Sequence, residues 1–324
     1  MTPATPLLAE LSTRARARAH ATTLPPCPCG ATATLADRPD ATVVRHEDTV
    51  AKAHAPGTDP AALTTRLAVA AHLPGILLPP LAPTPVTLHG RLATFWPYGT
   101  PVDPDDPDAA PWEEAGTLLA RLHRTPPPTT RPLPPMRGPA KAAQAVTALR
   151  ALLGAEDSRD HPVLTAWSAL PAWARAEAPM PDGRGDGGPR TLCHGDLHLG
   201  QLVRHPAPDG PWLLIDVDDL GTGTPAWDLA RPAAWFACGL LPPDEWTRFL
   251  DAYRAAGGPA VPPHGDPWPA LDVAARALTV QTAARAIVKA EAAGHALDEV
   301  ERALVDACAR MTPVPPELTY ESSK

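Results

Sequence analysis

Two textures divide the chain. Residues 31–55 are written in short runs rich in Thr and Val, ATATLADR, ATVVRHED and TVAKAHA, broken by the turn-like RPD and HED. β-Branched residues suit a pleated, half-buried surface, so the pattern predicts three antiparallel strands. Asp59-Pro60 then offers a cap and a first-turn proline to a helix through AALTTRLAVAAHL, and PVTLHG and RLATFWPY predict two further strands. A small β-rich lobe therefore ends near Tyr98, and GTPVDPDDPDAAP leads out of it as a loop. Ahead of this lobe, residues 1–25 predict a helix whose Arg14, Arg16 and Arg18 mark a solvated face.

From residue 111 the pattern becomes helical. In PWEEAGTLLARLHRT, Leu118, Leu119 and Leu122 share one face, while Glu113 and Glu114 occupy the first turn and oppose its positive end. Further helices are predicted over 139–154, 161–177, 225–239, 243–256, 267–292 and 297–311. Among them lies LCHGDLHLGQLV, preceded by the Gly-rich PMPDGRGDGGPR and followed by the strand-like PWLLIDVDD. This predicts a hairpin-like pair inside an otherwise helical lobe.

Composition narrows the class. The 324 residues are ample for a sizeable core, and 44% apolar with 20% charged residues is globular. The 45 prolines gather mostly in connections such as LLPPLAPTP and TPPPTTRPLPPMRGP. No apolar run approaches about 20 residues, and the first residues lack a long apolar stretch before a cleavage site, so a cytoplasmic protein without membrane contact is expected. The five cysteines are scattered and lack paired C-x-x-C spacing; Cys27-Pro-Cys29 reads as two reduced thiols in a loop. A net charge of -8 argues against a nucleic-acid partner and permits a cationic small substrate. A monomer or homodimer is expected.

Two histidines and an aspartate between apolar flanks, with Gln201 after them, fit a metal site, a proton-transfer site or a polar turn. Phosphoryl transfer needs a carboxylate for the attacking hydroxyl, oxygen ligands for a metal and a cation for the nucleotide phosphates. The chain supplies these parts in order. Asp196 follows a strand, Gln201 comes after four intervening residues, and Asp216 ends the apolar LLID. Upstream, Lys52 sits mid-strand in a chain whose only other lysines are Lys141, Lys289 and Lys324.

Read together, His194-Gly195-Asp196 with Gln201, then Ile215-Asp216, then Gly223-Thr224-Pro225-Ala226-Trp227-Asp228-Leu229 resemble the aminoglycoside phosphotransferase and choline kinase superfamily, in an order and lobe pattern spanning roughly residues 30–310. HGDLHLGQ is also similar to the loop of maltokinase-like members, which brings a sugar among the candidate acceptors. The resemblance implies an α+β, bilobal protein-kinase-like fold with a small antiparallel β-rich N-lobe and a larger, mainly helical C-lobe. It divides the chain into 1–98, a nucleotide-binding lobe with an N-terminal helical extension, and 99–324, a catalytic and substrate-binding lobe.

The resemblance also implies roles. Asp196 would be the catalytic base; Asp216 the principal Mg²⁺ ligand; Gln201 a second ligand, with Asp218 an auxiliary one or a solvated turn residue. Lys52 would contact the α- and β-phosphates of ATP, and the stretch holding Phe95, Trp96 and Tyr98 would be the hinge whose backbone meets adenine, unless these aromatics only pack the lobe junction. His194, His198 and Asp228 would brace the catalytic loop. The expected reaction moves the γ-phosphoryl group of ATP to a hydroxyl of a small polar molecule: an aminoglycoside-like antibiotic, a sugar or an amino alcohol.

The chain departs from the superfamily pattern in three ways. Gln201 stands where Asn is usual, no acid occurs in the helix 61–73 to brace Lys52, and the small lobe has no GxGxxG. Two other classes follow from these features: a pseudokinase that binds nucleotide or metabolite without turnover, and a metal-dependent hydrolase suggested by Asp196-Leu197-His198. A second His264-Gly265-Asp266 lies in a Pro-rich loop and reads as a turn.

Overall fold

The structure, a computed structural model, describes residues 5–20, 29–30, 32–129, 132–158, 160–179 and 191–311. Its first elements are α1 (Pro6–Ala19), β1 (Ala33–Asp37), β2 (Thr42–His46), β3 (Thr49–Ala53), α2 (Pro60–His72), β4 (Val86–Leu88), β5 (Arg91–Pro97) and β6 (Thr100–Pro101). Then follow α3 (Trp112–Arg124), α4 (Gly138–Asp157), α5 (Pro162–Ser168), β7 (Thr191–Cys193), β8 (Leu202–Arg204), β9 (Trp212–Leu214) and β10 (Gly221–Gly223). The chain closes with α6 (Ala230–Ala237), α7 (Pro243–Ala255), α8 (Trp268–Ala293) and α9 (Glu299–Arg310).

Two compact units emerge. One contains Met1–Pro111, Pro128–Pro134 and Leu199–Leu220; the other contains Trp112–Pro127, Pro135–His198 and Gly221–Lys324. The division is thus discontinuous in sequence and does not follow the single boundary after Tyr98.

The first unit holds an antiparallel sheet in the order β1-β2-β3-β5-β4. Because side chains alternate along a strand, its two faces have different chemistry. Val44, Ala51, Ala53, Ala93 and Phe95 form a core with Leu11 and Ala15 of α1. Lys52 and Trp96 take the opposite parity. Asp59 caps α2 by accepting the Ala61 amide at 2.9 Å, and Pro60 occupies the first turn. A smaller sheet, β6-β8-β9, pairs Leu202 with Leu214 and Val203 with Leu213.

In the second unit β7 pairs with β10, and the helices build a separate core around Leu149, Val163, Trp167, Trp227 and the alanines of α8. α3 runs against α7 closely enough that a side chain at Gly116 would begin 2.3 Å from the Phe249 carbonyl oxygen. Among the described residues no helix is long and apolar enough to cross a membrane.

Several expectations need adjustment. The predicted hairpin partner of PWLLIDVDD is β8, not the strand before the HGD loop, because β8 and β9 are local in sequence and close at low entropic cost. The helix expected over 161–177 stops at Ser168, shortly before Pro171, which lacks the N–H a continuing helix needs. The one expected over 225–239 is a single tight turn at Pro225–Trp227 followed by α6, whose Pro232 is tolerated only in a first turn. Cys29 is disulfide-bonded rather than a reduced thiol, and Cys27 lies outside the described residues.

Candidate active site

Lys52 leaves the middle of β3 on the face opposite α1. Its ammonium is 2.7 Å from Asp216 Oδ1 and 3.0 Å from Asp218 Oδ2. Burial opposes that charge, yet the two carboxylates outweigh it and raise the pKa of Lys52 above its ordinary value. The partner that α2 fails to provide thus comes from the segment after β9. α2 instead offers the buried Arg66, whose Nε donates to the Leu220 carbonyl at 2.9 Å.

Asp218 is held from two sides. Its Oδ1 lies 2.6 Å from His54 Nδ1, and His54 Nε2 reaches the Thr94 hydroxyl at 2.8 Å. Burial pushes the Asp218 pKa up, but the hydrogen bond to His54 and the charge of Lys52 prevail and hold it far below the usual carboxylate range. Asp216 sits in left-handed backbone, φ 66°, uncommon for a residue with a β-carbon. Its Oδ1 also accepts the Asp218 amide at 3.2 Å. Such strain persists where surrounding contacts hold it, and here Lys52 and that amide do so.

These groups line a cavity of about 290 Å³ in the first unit. Val43, Val50, Trp96, Tyr98, Gln201 and Ile215 form much of its wall, beside Lys52, Asp216 and Asp218. Gln201 is buried, and its backbone carbonyl accepts the Ile215 amide at 2.9 Å. Of the three expected hinge residues, Trp96 and Tyr98 reach the cavity. Phe95 does not: one position along β5, it faces the α1 core and carries the Arg18 guanidinium 4.4 Å from its ring centre. Tyr98 uses its amide on the Asp48 carbonyl and its carbonyl on His205 Nδ1.

Asp196 and its neighbours belong to the second unit. Gly195, with φ 85°, makes the turn that follows β7. Asp228 holds that turn by accepting the His194 amide at 2.6 Å on Oδ2 and the Gly195 amide at 2.7 Å on Oδ1. His123 Nε2 approaches the same Oδ2 at 3.0 Å, and its Nδ1 is 2.8 Å from the Tyr253 hydroxyl. His194 and Asp228 are therefore fully interior. His198 is half-buried and is among the neighbours that lower the pKa of Asp196.

Asp196 itself is not isolated. Arg231 Nη2 donates to its Oδ1 at 2.7 Å, and Lys141 Nζ stands 3.7 Å from Oδ2. Burial raises the Asp196 pKa, but Lys141, Arg231 and His198 outweigh it, so the carboxyl stays below its ordinary range and ionised at neutral pH. Arg231 Nε also donates to the Leu197 carbonyl at 3.2 Å, tying the loop to α6. The cavity bordered by Lys141, Asp196, Arg231 and Gln281 is only about 20 Å³. The other HGD is an exposed turn in which Asp266 accepts the Trp268 amide at 3.0 Å.

Sequence reasoning missed His54, Lys141, Arg231 and His123. His54 had a signal, since it lies two residues after Lys52 and so shares its strand face. Arg231 and Lys141 had none, because only the packed helices bring them to Asp196.

The sequence model of the phosphotransferase enzyme family (APH) matches residues 35–271. Among curated protein sequences none matches this chain. Among solved structures, the chain is similar to a choline/ethanolamine kinase family protein from Mesorhizobium loti, at 15% identity and TM-score 0.56 over 91% of each chain. It is similar to a thermostable mutant of aminoglycoside phosphotransferase APH(4)-Ia in ternary complex with AMP-PNP and hygromycin B, at 12% identity and TM-score 0.56, over 86% of this chain and 93% of that one. Choline kinase LicA from Streptococcus pneumoniae gives 13% identity and TM-score 0.55, over 87% of this chain and 94% of that one.

Proposed function

The chain belongs to the phosphotransferase enzyme family, and from that premise we propose that it is an ATP-dependent kinase that phosphorylates a hydroxyl of a small polar molecule. The observation that carries this reading is the Lys52–Asp216 pair, a half-buried ammonium and a carboxylate at 2.7 Å in the wall of a largely apolar cavity that Gln201 also lines. In this reading the apolar wall of Val43, Val50 and Trp96 receives the adenine, and Lys52 meets the phosphates.

The donors suit magnesium. Asp216 and Gln201 offer hard oxygen atoms, as Mg²⁺ requires. Asp216 spends Oδ1 on Lys52 and the Asp218 amide, so we assign Oδ2 to the cation. Asp218 has both oxygens engaged, by His54 and Lys52, and we assign it to holding the lysine rather than the metal. Bound Mg²⁺ would neutralise charge on the transferring phosphate. Asp196 accepts the proton of the acceptor hydroxyl as the new P–O bond forms, the bond from the γ-phosphorus to its bridging oxygen breaks, and ADP leaves.

Around Asp196 two cationic groups, Lys141 and Arg231, face one catalytic carboxylate. This balance favours a neutral polyol such as a sugar over a polycationic aminoglycoside. A screen of sugars, amino alcohols and hydroxylated antibiotics, read by acceptor-dependent ATP consumption, tests both the reaction and the ranking. Tight Mg·ATP binding with no turnover on any acceptor would return the chain to the pseudokinase reading.

A further inference from the structure

Three residues in the first unit, unconnected with the cavity, bring metal-binding atoms together. His20 caps the C-terminus of α1, Cys29 precedes β1, and His46 ends β2. His20 Nε2 lies 3.0 Å from His46 Nε2 and 3.2 Å from Cys29 Sγ, and all three donor atoms fall within 4.8 Å of one another. Two soft or borderline nitrogens and a sulfur thus converge on one point from three separate stretches of chain.

A pair of imidazole nitrogens this close is stable without a metal only if one carries a proton and the other does not. Around a tetrahedral Zn²⁺, with Zn–N near 2.0–2.1 Å and Zn–S near 2.3 Å, neighbouring donors are roughly 3.3–3.8 Å apart, close to the separations seen here. His46 is buried, and its other nitrogen, Nδ1, lies 3.3 Å from the Thr32 hydroxyl. That outer hydrogen bond fixes the ring and leaves Nε2 for coordination, the arrangement usual behind a metal-ligating histidine. Two nitrogens and a thiolate suit zinc and not magnesium, which keeps this cluster chemically distinct from the oxygen donors beside Lys52.

We propose that His20, Cys29 and His46 form a zinc-binding site that fastens the end of α1 to β2 in the reduced protein. The fourth coordination position falls to water or another ligand. Because Cys29 is disulfide-bonded in this structure, the site requires a reductant. A trialkylphosphine supplies it: the S–S bond breaks, each sulfur gains a proton, and the phosphine takes up the oxygen of one water as phosphine oxide. Zinc then displaces the Cys29 proton to solvent.

The test uses the untagged full-length chain, phosphine-reduced under nitrogen and titrated with Co²⁺ and then Zn²⁺. Expected are a thiolate-to-cobalt charge-transfer band, tetrahedral ligand-field bands bleached by one equivalent of Zn²⁺, and a higher Tm with zinc. Cys29→Ser should abolish the charge-transfer band. His20→Gln should weaken zinc binding at least tenfold, and both variants should keep the parent circular-dichroism spectrum and ATP affinity. Unreduced protein should show no charge-transfer band. The proposal is overturned if the reduced parent gives no such band, if Cys29→Ser retains it, or if His20→Gln binds zinc as tightly as the parent.

Discussion

Lys52 Nζ meets Asp216 Oδ1 at 2.7 Å across 164 positions of sequence, and the same ammonium reaches Asp218 Oδ2 at 3.0 Å. One lysine is therefore held by two carboxylates that are not equivalent. Asp216 has left-handed backbone and one oxygen available for assignment to a cation; Asp218 is tied to His54 as well. Their neutral variants should separate accordingly. Asp216→Asn should lose magnesium-dependent nucleotide affinity and turnover together, whereas Asp218→Asn should bind Mg·ATP within a few-fold of the parent. Calorimetric titration of ATP with and without Mg²⁺ decides it; equal losses in the two variants would remove the distinction.

Asp218 also makes an acid-stability prediction. Its folded pKa is depressed, so it contributes stability that is fully present above the unfolded carboxylate value of about 4 and is lost as pH falls toward the folded value. The Tm gap between parent and Asp218→Asn should therefore be constant from roughly pH 5 to 8 and narrow below about pH 4. Thermal melts across that range measure it. A gap that widens on acidification would contradict the linkage.

Much of this architecture is legible in the sequence itself. The antiparallel strands and the cap at Asp59 follow from β-branched runs and an Asp-Pro pair, which are local signals. Lys52 and Asp216 stand out because each occupies a strand or strand end where an ionised group needs a reason, and Asp196 because of its HGD setting and its spacing to Gln201. The His54–Asp218 contact and the cationic pair at Asp196 depend on long-range packing, to which no local pattern points. The strand alternation at the hinge is equally legible: an aromatic run in a strand alternates faces, so the Phe95 side chain packs against α1 while that of Trp96 lines the cavity.

The amide at Gln201 allows a test by size and chemistry. Asn keeps a hard carbonyl oxygen on a shorter side chain, while Leu keeps the volume and supplies none. Gln201→Leu should raise the Mg²⁺ concentration needed for half-maximal turnover by about tenfold or more, in line with losses at metal sites, and Gln201→Asn should stay near the parent. Identical magnesium titrations for the Leu variant and the parent would take Gln201 out of the metal site.

Asp228 is a structural demand more than a chemical one. It accepts from two backbone amides and faces His123, all in the interior. Asp228→Ala leaves the two amides without an acceptor, each costing about 1–3 kcal/mol, so a loss of roughly 2–6 kcal/mol is expected. Urea unfolding followed by fluorescence measures this. A loss under about 1 kcal/mol would mean water replaces the carboxylate and the loop does not depend on it.

Arg231 gives the sharpest view of how Asp196 is tuned. Burial alone would raise the pKa of Asp196, and the charges of Lys141, Arg231 and His198 together with the Arg231 hydrogen bond at 2.7 Å bring it down. A base acts only when deprotonated, so the acidic limb of kcat/KM reports this balance in the free enzyme. In Arg231→Gln one of the lowering charges and the hydrogen bond that goes with it are gone while Lys141 remains, so the limb should move to higher pH, with kcat falling even above it because the loop loses its tie to α6. Arg231→Lys restores a positive charge without the second donor to the Leu197 carbonyl; its limb should return toward the parent position while kcat recovers only in part. The pH profile of each variant, measured with whichever acceptor the screen identifies, separates tuning from positioning. If Arg231→Gln lowers kcat and leaves the limb where it was, Arg231 places Asp196 without setting its charge state.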